Sequence, residues 1–241
     1  MILDNRLRAA RDPTGETLST GGRTRQAILA RAVKIAAREG LAALTIGRLA
    51  KELEMSKSGL FAHFHSKEVL ELATVEHAKQ VFENAVLRPA QDGENGVARL
   101  WSLCDLWLSH IERSVFSGPY FFTGALFEYA DRPGLVSDSI KRATQEWLSA
   151  LRKAVEDGQT LRQLGRSARA DQIASELNGR LIGAYCAYLL ENRRSFREAR
   201  AALRARLRDL ATTAIPASAF ESDGSWKRYA QKRTRDAPKD R

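Results

Sequence analysis

Histidine and cysteine, which carry much of the catalytic and metal chemistry of proteins, are few in this sequence, with four histidines and two cysteines. The four histidines include one close pair, His63 and His65. This pair falls at a predicted helix end, where the two side chains diverge, and no third ligand of suitable spacing lies nearby. The two cysteines, Cys104 and Cys186, are far apart and lie in helical patterns, which favours buried reduced thiols over a disulfide framework. We therefore predict neither a metal site nor a disulfide.

The motifs of common enzyme classes are also missing from the sequence. No glycine-rich phosphate loop follows a predicted strand, and no nucleophile is accompanied by a candidate base. Histidines 63, 65 and 77 precede the aromatic-rich middle of the chain, which leaves only His110 near it. We expect no catalytic residues, no enzymatic activity and no cofactor.

The formal charge of +10 is concentrated in two short regions. Residues 23–70 carry nine Lys and Arg against four Asp and Glu, and residues 222–241 carry seven against three. Residues 1–22 and 71–221 are close to neutral. A basic unit near one end, a neutral body and a basic tail indicate nucleic-acid binding. The alternative is a solvated basic face with no partner.

Helical periodicity dominates the chain between its two ends, and no alternating Val- and Ile-rich run predicts a strand. The fold class is therefore all-α, and 241 residues are enough to bury a hydrophobic core. The longest apolar run, residues 181–190, is too short to cross a bilayer, and residues 1–4 lead directly into charged residues without a secretory signal. We expect a cytoplasmic protein, with no membrane partner.

Four ranges divide the predicted chain. Residues 1–20 and 216–241 contain Pro and Gly without periodicity, so both are predicted to be flexible tails. Residues 21–81 are predicted to form a head and residues 82–215 a helical body, whose first helix follows a break at Pro89 and Gly93. Helices of the body are predicted at about 94–112, 117–130, 134–158, 169–191 and 196–213.

Three short helices and a longer fourth are predicted in the head. Three of them follow an N-cap residue, which is Thr45, Ser56 or Ser66. Their predicted extents are Arg23 to Arg38, Ile46 to Leu53, Lys57 to Phe64, and Lys67 to about Val86. Because only a tight turn separates the second helix from the third, we predict a helix-turn-helix unit at about residues 45–64.

This head resembles the TetR family of bacterial transcriptional regulators over roughly residues 23–81. The residues that carry the resemblance are Thr45-Ile46-Gly47-Arg48-Leu49-Ala50, Met55-Ser56-Lys57-Ser58-Gly59-Leu60-Phe61-Ala62-His63-Phe64 and Ser66-Lys67-Glu68-Val69-Leu70. The resemblance implies a three-helix DNA-binding head on an all-helical, ligand-binding and dimerising body.

The resemblance also implies which residues contact DNA. The third helix would lie in the major groove, with a cation, a hydroxyl and a close backbone approach offered by its first turn. The starts of the second and fourth helices would bind phosphate, as helix N-termini favour anions. The implied contacts are Thr45, Ser56, Lys57, Ser58, Gly59, His63 and Lys67. The alternatives are that Ser56 only caps the helix and that the lysines are ordinary solvated residues.

Two positions depart from the family pattern. The family usually has glycine where this chain has Glu54, so either Glu54 adopts a positive φ at a cost of about 1 kcal/mol or the turn differs. The family often has tyrosine where this chain has Phe61, which removes a hydroxyl that could donate to phosphate. Together with Leu60 and Phe64, Phe61 is expected to hold the head together rather than to contact DNA.

A broad apolar face late in the chain predicts the dimer contact, because two such helix pairs would close a four-helix bundle around a two-fold axis. Its residues are Ile173, Leu177, Ala184, Tyr185 and Tyr188. The alternative is that this face is buried within one subunit.

Aromatic residues in the middle helices predict a ligand pocket. Its expected lining is Cys104, Trp107, Phe121, Phe122, Phe127, Glu128 and Trp147. A pocket of this kind would be apolar with few polar groups and would favour a hydrophobic or aromatic small molecule. The alternative is that these aromatic residues are simply core.

Together these features predict a ligand-responsive transcriptional regulator that acts in the cytoplasm, at the nucleoid. We expect it to act as a repressor and to bind an inverted-repeat, double-stranded DNA operator as a homodimer. Its remaining partner would be an apolar small-molecule effector. The alternative from another functional class is an all-α small-molecule carrier or enzyme whose basic head binds DNA only weakly.

Overall fold

The computed structural model describes residues 19–91, 95–113, 121–190, 194–215 and 217–220. These residues are helical with short connections, and within them no strand forms beyond a single bridge between Leu164 and Ala211. The predicted all-α fold class is confirmed. Of the two predicted tails, residues 1–18 and 221–241 lie outside the described residues.

Ten α-helices follow one another in the described ranges. They are α1 (Thr20–Glu39), α2 (Ile46–Glu52), α3 (Lys57–Phe64), α4 (Lys67–Phe82), α5 (Arg88–Gln91), α6 (Val97–Glu112), α7 (Phe121–Glu128), α8 (Leu135–Thr160), α9 (Ala170–Leu189) and α10 (Ser195–Leu210). A π-helical turn, Glu83–Leu87, joins α4 to α5, and a 3₁₀ helix, Ala217–Phe220, follows α10. No helix in these ranges has both the length and the apolar character needed to cross a membrane.

Two predicted boundaries are wrong. The helical path continues past Val86 through the π-helical turn and includes Pro89 as the second residue of α5. At the other end of the chain, the predicted tail begins too early. Phe220 is buried and its ring meets the ring of Trp101 edge-on at 5.6 Å, so the ordered chain extends beyond residue 216.

The described residues divide into two compact units, one comprising 19–79 and 121–140 and the other comprising 80–113, 141–190, 194–215 and 217–220. The first segment of the first unit ends close to the predicted boundary at residue 81. In contrast to the predicted division, α7 and the first turn of α8 group with the head rather than with the body. This grouping depends on contacts between α7 and α1, which are distant in sequence.

The core of the first unit is formed along one face of α1, where Ile28, Ala32 and Ile35 are buried at the predicted helical spacing. α1 begins with a cap, since the hydroxyl of Ser19 accepts a hydrogen bond from the N–H of Gly22. α2 packs against α1 and α3 packs against α2, and the two helices contribute Leu49 and other buried apolar residues. The resulting small core holds the helix-turn-helix unit in place.

The second unit is built around α6, which is buried along most of its length and contacts α9 and α10. The guanidinium of Arg200 on α10 donates to the carboxylate of Asp105 at 2.6 Å and to the hydroxyl of Ser109 at 2.9 Å. Asp105 and Ser109 are buried, so this paired charge fixes α10 against α6.

Candidate nucleic-acid interface

The first turn of α3 is organised by Ser56. Its hydroxyl oxygen accepts a hydrogen bond from the N–H of Gly59 at 3.0 Å, which is the predicted N-cap. A Cβ atom at position 59 would lie 3.0 Å from the same oxygen, so glycine allows the cap to close tightly. The Ser56 hydroxyl also lies 3.3 Å from that of Ser58. Ser56 therefore acts first as a cap, and its predicted contact with DNA remains a prediction.

The two sides of α3 differ sharply in burial. Leu60 and Phe64 are fully buried, as expected for residues that hold the head together. Phe61 is 51% exposed, so its predicted core role is wrong. Phe61 lies one helical turn after Lys57 and shares the solvent side with it, whereas Leu60 and Phe64 share the opposite side.

The exposed side of α3 therefore contains one candidate DNA contact that sequence reasoning missed. Lys57, Ser58, Phe61 and Ala62 are all exposed along it. The four-residue spacing of Phe61 from Lys57 indicates that both share one side of the helix. The aromatic character of Phe61 and its position next to the core residue Leu60 instead favour a prediction of burial. This side combines a cation, a hydroxyl and apolar groups, the mixture that reads base edges and thymine methyls in a major groove.

Lys57 is the exposed cation at the start of this side. Its aliphatic chain lies beside α2, where a Cβ atom at Gly47 would be 3.4 Å from the Cε atom of Lys57. Within the part of the chain that the structure describes, Lys57 forms no ion pair. Its ammonium group is therefore available for an external anion.

Several other cations of the head are already paired. Arg31 forms an ion pair with Glu52, and Arg48 donates to Glu39 at 2.8 Å. The hydrogen bond and charge of Arg31 hold the pKa of Glu52 below its ordinary value. These pairs fix α2 against α1 and reduce the positive charge that the two arginines offer to a polyanion.

The turn between α2 and α3 resolves the first departure from the family pattern. Glu54 has a φ of 53°, so a non-glycine residue occupies the left-handed region at this position. The backbone N–H of Met55 then donates to the carbonyl of Ala50 at 2.9 Å, which closes the turn. Of the two alternatives, the positive φ is the correct one, at a cost of about 1 kcal/mol.

Thr45 and Lys67 begin α2 and α4, as expected. The hydroxyl of Thr45 accepts a hydrogen bond from the N–H of Arg48 at 3.1 Å, and Ser66 caps α4 in the same way. The ammonium of Lys67 donates to the carbonyl of Ala42 at 2.6 Å and lies 3.5 Å from the carboxylate of Glu71. Lys67 is therefore committed to contacts within the head, and its predicted phosphate contact would have to compete with them.

His63 and His65 close α3. His63 is half-buried in the last turn with its ring 6.2 Å from that of Phe64, and His65 ends the helix with a φ of 59°. Within the described ranges no group of three His, Cys, Asp or Glu side chains is arranged to hold a metal ion.

The seven residues of the predicted ligand pocket are divided between the two units. Cys104, Trp107 and Trp147 are buried in the second unit, and Phe121 and Phe122 are buried in the first. Burial raises the pKa of the Cys104 thiol to about 12, so this group is a neutral core residue at physiological pH. The other cysteine, Cys186, is exposed, which corrects the expectation that both thiols are buried.

Phe127 and Glu128 differ in their surroundings, since Glu128 lines a cavity with Phe121 beside the end of α1 and Phe127 does not. Phe127 is 77% exposed at the end of α7. Both carboxylate oxygens of Glu128 are occupied by backbone groups of the head, since Oε2 accepts from the N–H of Leu41 at 2.7 Å and Oε1 from that of Ala42 at 2.9 Å. Sequence reasoning missed this contact, because nothing local in the chain links residues 41 and 128.

A cavity of about 410 Å³ in the first unit has a mainly polar lining. Charged and hydroxyl side chains from the start of α4 and from the α7–α8 connection surround it, including Lys67, Glu71, Tyr129, Arg132 and Ser137. Its chemistry differs from that of the predicted apolar pocket.

The predicted dimer face is largely buried inside the second unit. Ile173, Leu177, Ala184 and Tyr185 pack within it, and the ring of Tyr188 stacks on Phe196 at 4.8 Å. This burial agrees with the alternative of packing within one subunit, and a role of the set in a dimer contact stays a prediction. The larger apolar side chains of α9 face α6 and α10, because only that side offers a core to fill.

The outward side of α9 is formed by small residues. Apart from neighbouring residues and the nearby backbone of α9 itself, no atom of the described chain lies within 4 Å of a Cβ placed at Gly179 or Gly183, and Cys186 is exposed on the same side. Leu190, just after the helix, is 83% exposed. The small-residue side of α9 is thus the part that remains open for another protein surface.

Comparison with known proteins identifies two family profiles in the chain. Residues 28–74 match the profile described as "Bacterial regulatory proteins, tetR family", and residues 96–203 match the one described as "Tetracyclin repressor-like, C-terminal domain". No curated protein matches the chain significantly.

Solved structures share the fold over most of the chain. A TetR transcriptional regulator from Chloroflexus aurantiacus J-10-FL aligns with a TM-score of 0.74 and 22% identity, covering 82% of this chain and 100% of the other. A regulator of the same family from Cytophaga hutchinsonii gives 0.69 and 16%, covering 83% and 100%. AibR, solved in complex with isovaleryl coenzyme A and operator DNA, gives 0.62 and 22%, covering 77% and 97%.

Proposed function

Because the chain belongs to the TetR family of bacterial transcriptional regulators, we propose that it represses transcription by binding an inverted-repeat operator as a homodimer. The exposed side of α3 would enter the major groove, and the N-termini of α2 and α4 would contact phosphates on either side of it. Thr45, Ser56, Lys57, Ser58, Gly59, His63 and Lys67 are the proposed contacts from sequence, and Phe61 joins them from the structure.

The observation that carries this proposal is the two-sided character of α3. Leu60 and Phe64 anchor the helix in the core, while Lys57, Ser58 and Phe61 are presented to solvent on the other side. A helix of eight residues held in this way projects its first turns outward as a rigid unit. Rigid presentation lowers the entropic cost of docking into a groove.

A homodimer would form through the small-residue side of α9. Gly179 and Gly183 allow two helices to approach closely, and the adjoining Cys186 adds a further small apolar contact. A two-fold axis at this position would present two copies of α3 to successive major grooves. A single copy would read too few base pairs for a unique genomic site.

An effector would release DNA by favouring a conformation of the dimer in which the two heads are wrongly spaced. The isovaleryl coenzyme A bound to AibR is an example of a small ligand on a protein of this fold. For this chain we propose an apolar small molecule bound by the aromatic part of the second unit, where Cys104, Trp107 and Trp147 of the predicted lining are buried.

Selection of genomic fragments on the purified full-length protein tests the proposal. At a salt concentration of about 150 mM, purely electrostatic binding is weak, so enrichment reports sequence recognition. We expect one inverted repeat with half-sites about one helical turn apart. Recovery of fragments without a shared sequence would contradict the proposed operator binding and leave the head as a non-specific anchor.

Repression itself is tested with the enriched fragment placed upstream of a reporter gene. The wild-type protein should lower reporter output, and Lys57→Ala should restore it. Output that rises when wild-type protein is present would identify an activator instead.

A further inference from the structure

Glu128 connects the end of α7 to the chain segment between α1 and α2. The N–H groups of Leu41 and Ala42 follow the end of α1 and both donate to its carboxylate, at 2.7 and 2.9 Å. Hydrogen bonds to a charged group are roughly twice as strong as those between neutral groups. One side chain therefore restrains two consecutive peptide units of the connection.

The position of Glu128 in its own helix does not favour an acid. Glu128 is the last residue of α7, where the negative end of the helix dipole disfavours a carboxylate. The two N–H donors of the α1–α2 connection compensate for this. The presence of a glutamate at position 128 is therefore explained by its hydrogen bonds to Leu41 and Ala42, since it does not stabilise α7.

The contacts of Glu128 belong to a closed set, which we call the Glu128 ring. The carbonyl of Ala42 accepts a hydrogen bond from the ammonium of Lys67 at 2.6 Å, and this ammonium lies 3.5 Å from Glu71. Burial, together with a hydrogen bond to Glu71, raises the pKa of Tyr129 above its ordinary value. Tyr129 is the next residue after Glu128, so the peptide bond between them completes the ring.

The Glu128 ring fixes the starts of two DNA-proximal helices. Leu41 and Ala42 lie just before Thr45, the N-cap of α2, and Lys67 is the first residue of α4. These two N-termini flank α3 in the chain. Their spacing relative to α3 decides whether all three helices can engage one stretch of duplex.

We propose that Glu128 is a positioning residue for DNA recognition, which sets the N-termini of α2 and α4 by restraining the α1–α2 connection. Glu128 itself does not touch DNA. The inference rests on the proposed operator binding, and it adds to that function a residue that lies about 60 positions beyond the helix-turn-helix unit.

Backbone hydrogen exchange tests the restraint without DNA. In the full-length wild-type protein, the N–H groups of Leu41 and Ala42 should be protected, and Glu128→Ala should increase their exchange rates by about tenfold or more. Glu128→Gln keeps one carbonyl acceptor and should have an intermediate effect. Asp131→Asn removes a carboxylate from the exposed residues that follow α7 and should leave both rates unchanged. Unchanged protection in Glu128→Ala would overturn the inference.

Binding of DNA tests the positioning role. The probes are the genomic fragment enriched by the wild-type protein and a scrambled duplex of equal length. Glu128→Ala should weaken binding to the fragment by about tenfold, because the α1–α2 connection is then no longer held in the binding geometry before DNA arrives. Binding to the scrambled duplex should change by less than a factor of about two, and Glu128→Gln should recover part of the loss.

The two proposals fail in different ways. If the variant loses thermal stability but keeps the wild-type ratio of fragment to scrambled binding, Glu128 is only a stabilising residue and the inference is wrong. If the wild-type protein enriches no fragment, the proposed operator binding fails, and the positioning role fails with it even where exchange confirms the restraint.

Discussion

Gly40 and Glu128 approach each other so closely that a Cβ atom at position 40 would lie 3.0 Å from the Oε1 atom of Glu128. Gly40 also has a φ of +91°, in the region that favours glycine, where it ends α1. Two requirements therefore meet at this residue. The backbone must turn sharply out of the helix, and the carboxylate must reach the N–H groups just beyond it.

Substitution of Gly40 should disturb both the turn and the carboxylate contact. We expect Gly40→Ala to lower the free energy of unfolding by about 1–3 kcal/mol, because alanine is strained at this φ and its methyl group displaces Glu128. Urea unfolding measures the change. Gly124→Ala, on α7 with open space around its Cβ, is the matched control and should be neutral or slightly stabilising. Equal stability of the two variants would show that position 40 tolerates a side chain.

The two phenylalanines of α3 should have opposite effects when truncated. Phe64→Ala should destabilise the protein by about 3–5 kcal/mol, since its ring is fully buried. Phe61→Ala should leave the melting temperature nearly unchanged and weaken binding to the enriched fragment, because its ring is exposed beside Lys57. Thermal unfolding and fluorescence anisotropy separate the two outcomes. Undiminished DNA binding by Phe61→Ala would remove Phe61 from the proposed interface.

The helix-turn-helix unit could be predicted from sequence because its determinants are local. Thr45 and Ser56 cap α2 and α3 through N–H groups three residues later, and Gly40 stops α1 in the predicted place. Even the unusual positive φ of Glu54 was one of two alternatives that the turn allowed. Contacts of this kind depend on spacings of three or four residues, which a single sequence displays directly.

The roles of Glu128 and of α9 could not be predicted in the same way. The hydrogen bonds of Glu128 reach across 86 and 87 positions of the chain, and no periodic pattern links such distant residues. For α9, the apolar residues were recognised, but an apolar face is equally consistent with an internal core and with a dimer contact. The structure assigns Leu177 and Tyr185 to the core and leaves Gly183 outside.

Lys57 should contribute to sequence recognition more than to general affinity. Lys57→Ala should weaken binding to the enriched fragment by about 1–3 kcal/mol, and its effect on a scrambled duplex should be smaller. Lys141→Ala removes the same charge from an exposed position of α8 and should affect neither probe. Equal losses on both probes in Lys57→Ala would identify Lys57 as a phosphate contact instead.

The buried thiol of Cys104 should be unreactive in the folded protein. Reaction with iodoacetamide requires the thiolate, and burial both excludes the reagent and raises the pKa of this thiol to about 12. In the Cys186→Ser variant, we expect no alkylation at about pH 8.5 and complete alkylation after denaturation, where the thiol regains its ordinary pKa of about 8.5. Mass spectrometry of the intact chain counts the modified thiols. Alkylation under native conditions would show that the core around α6 opens readily.

The outward side of α9 should decide whether the protein dimerises. Because a Cβ at Gly183 meets only open space within the described chain, Gly183→Arg should fold with a nearly unchanged melting temperature. In a dimer that packs closely at this helix, the new side chain would instead be forced against the partner, and a charged group buried without a counter-ion costs several kcal/mol. Sedimentation of the wild-type protein should therefore give twice the mass of the chain, and Gly183→Arg should give the mass of one chain.

The matched control for this prediction is Gly124→Arg, which adds the same side chain at another open position, on α7, and should remain dimeric. The monomeric variant should also lose most of its affinity for the inverted repeat, since a single head spans one half-site. A Gly183→Arg protein that sediments as a dimer would place the interface elsewhere. A wild-type protein that sediments as a monomer at all concentrations would contradict the proposed homodimer itself.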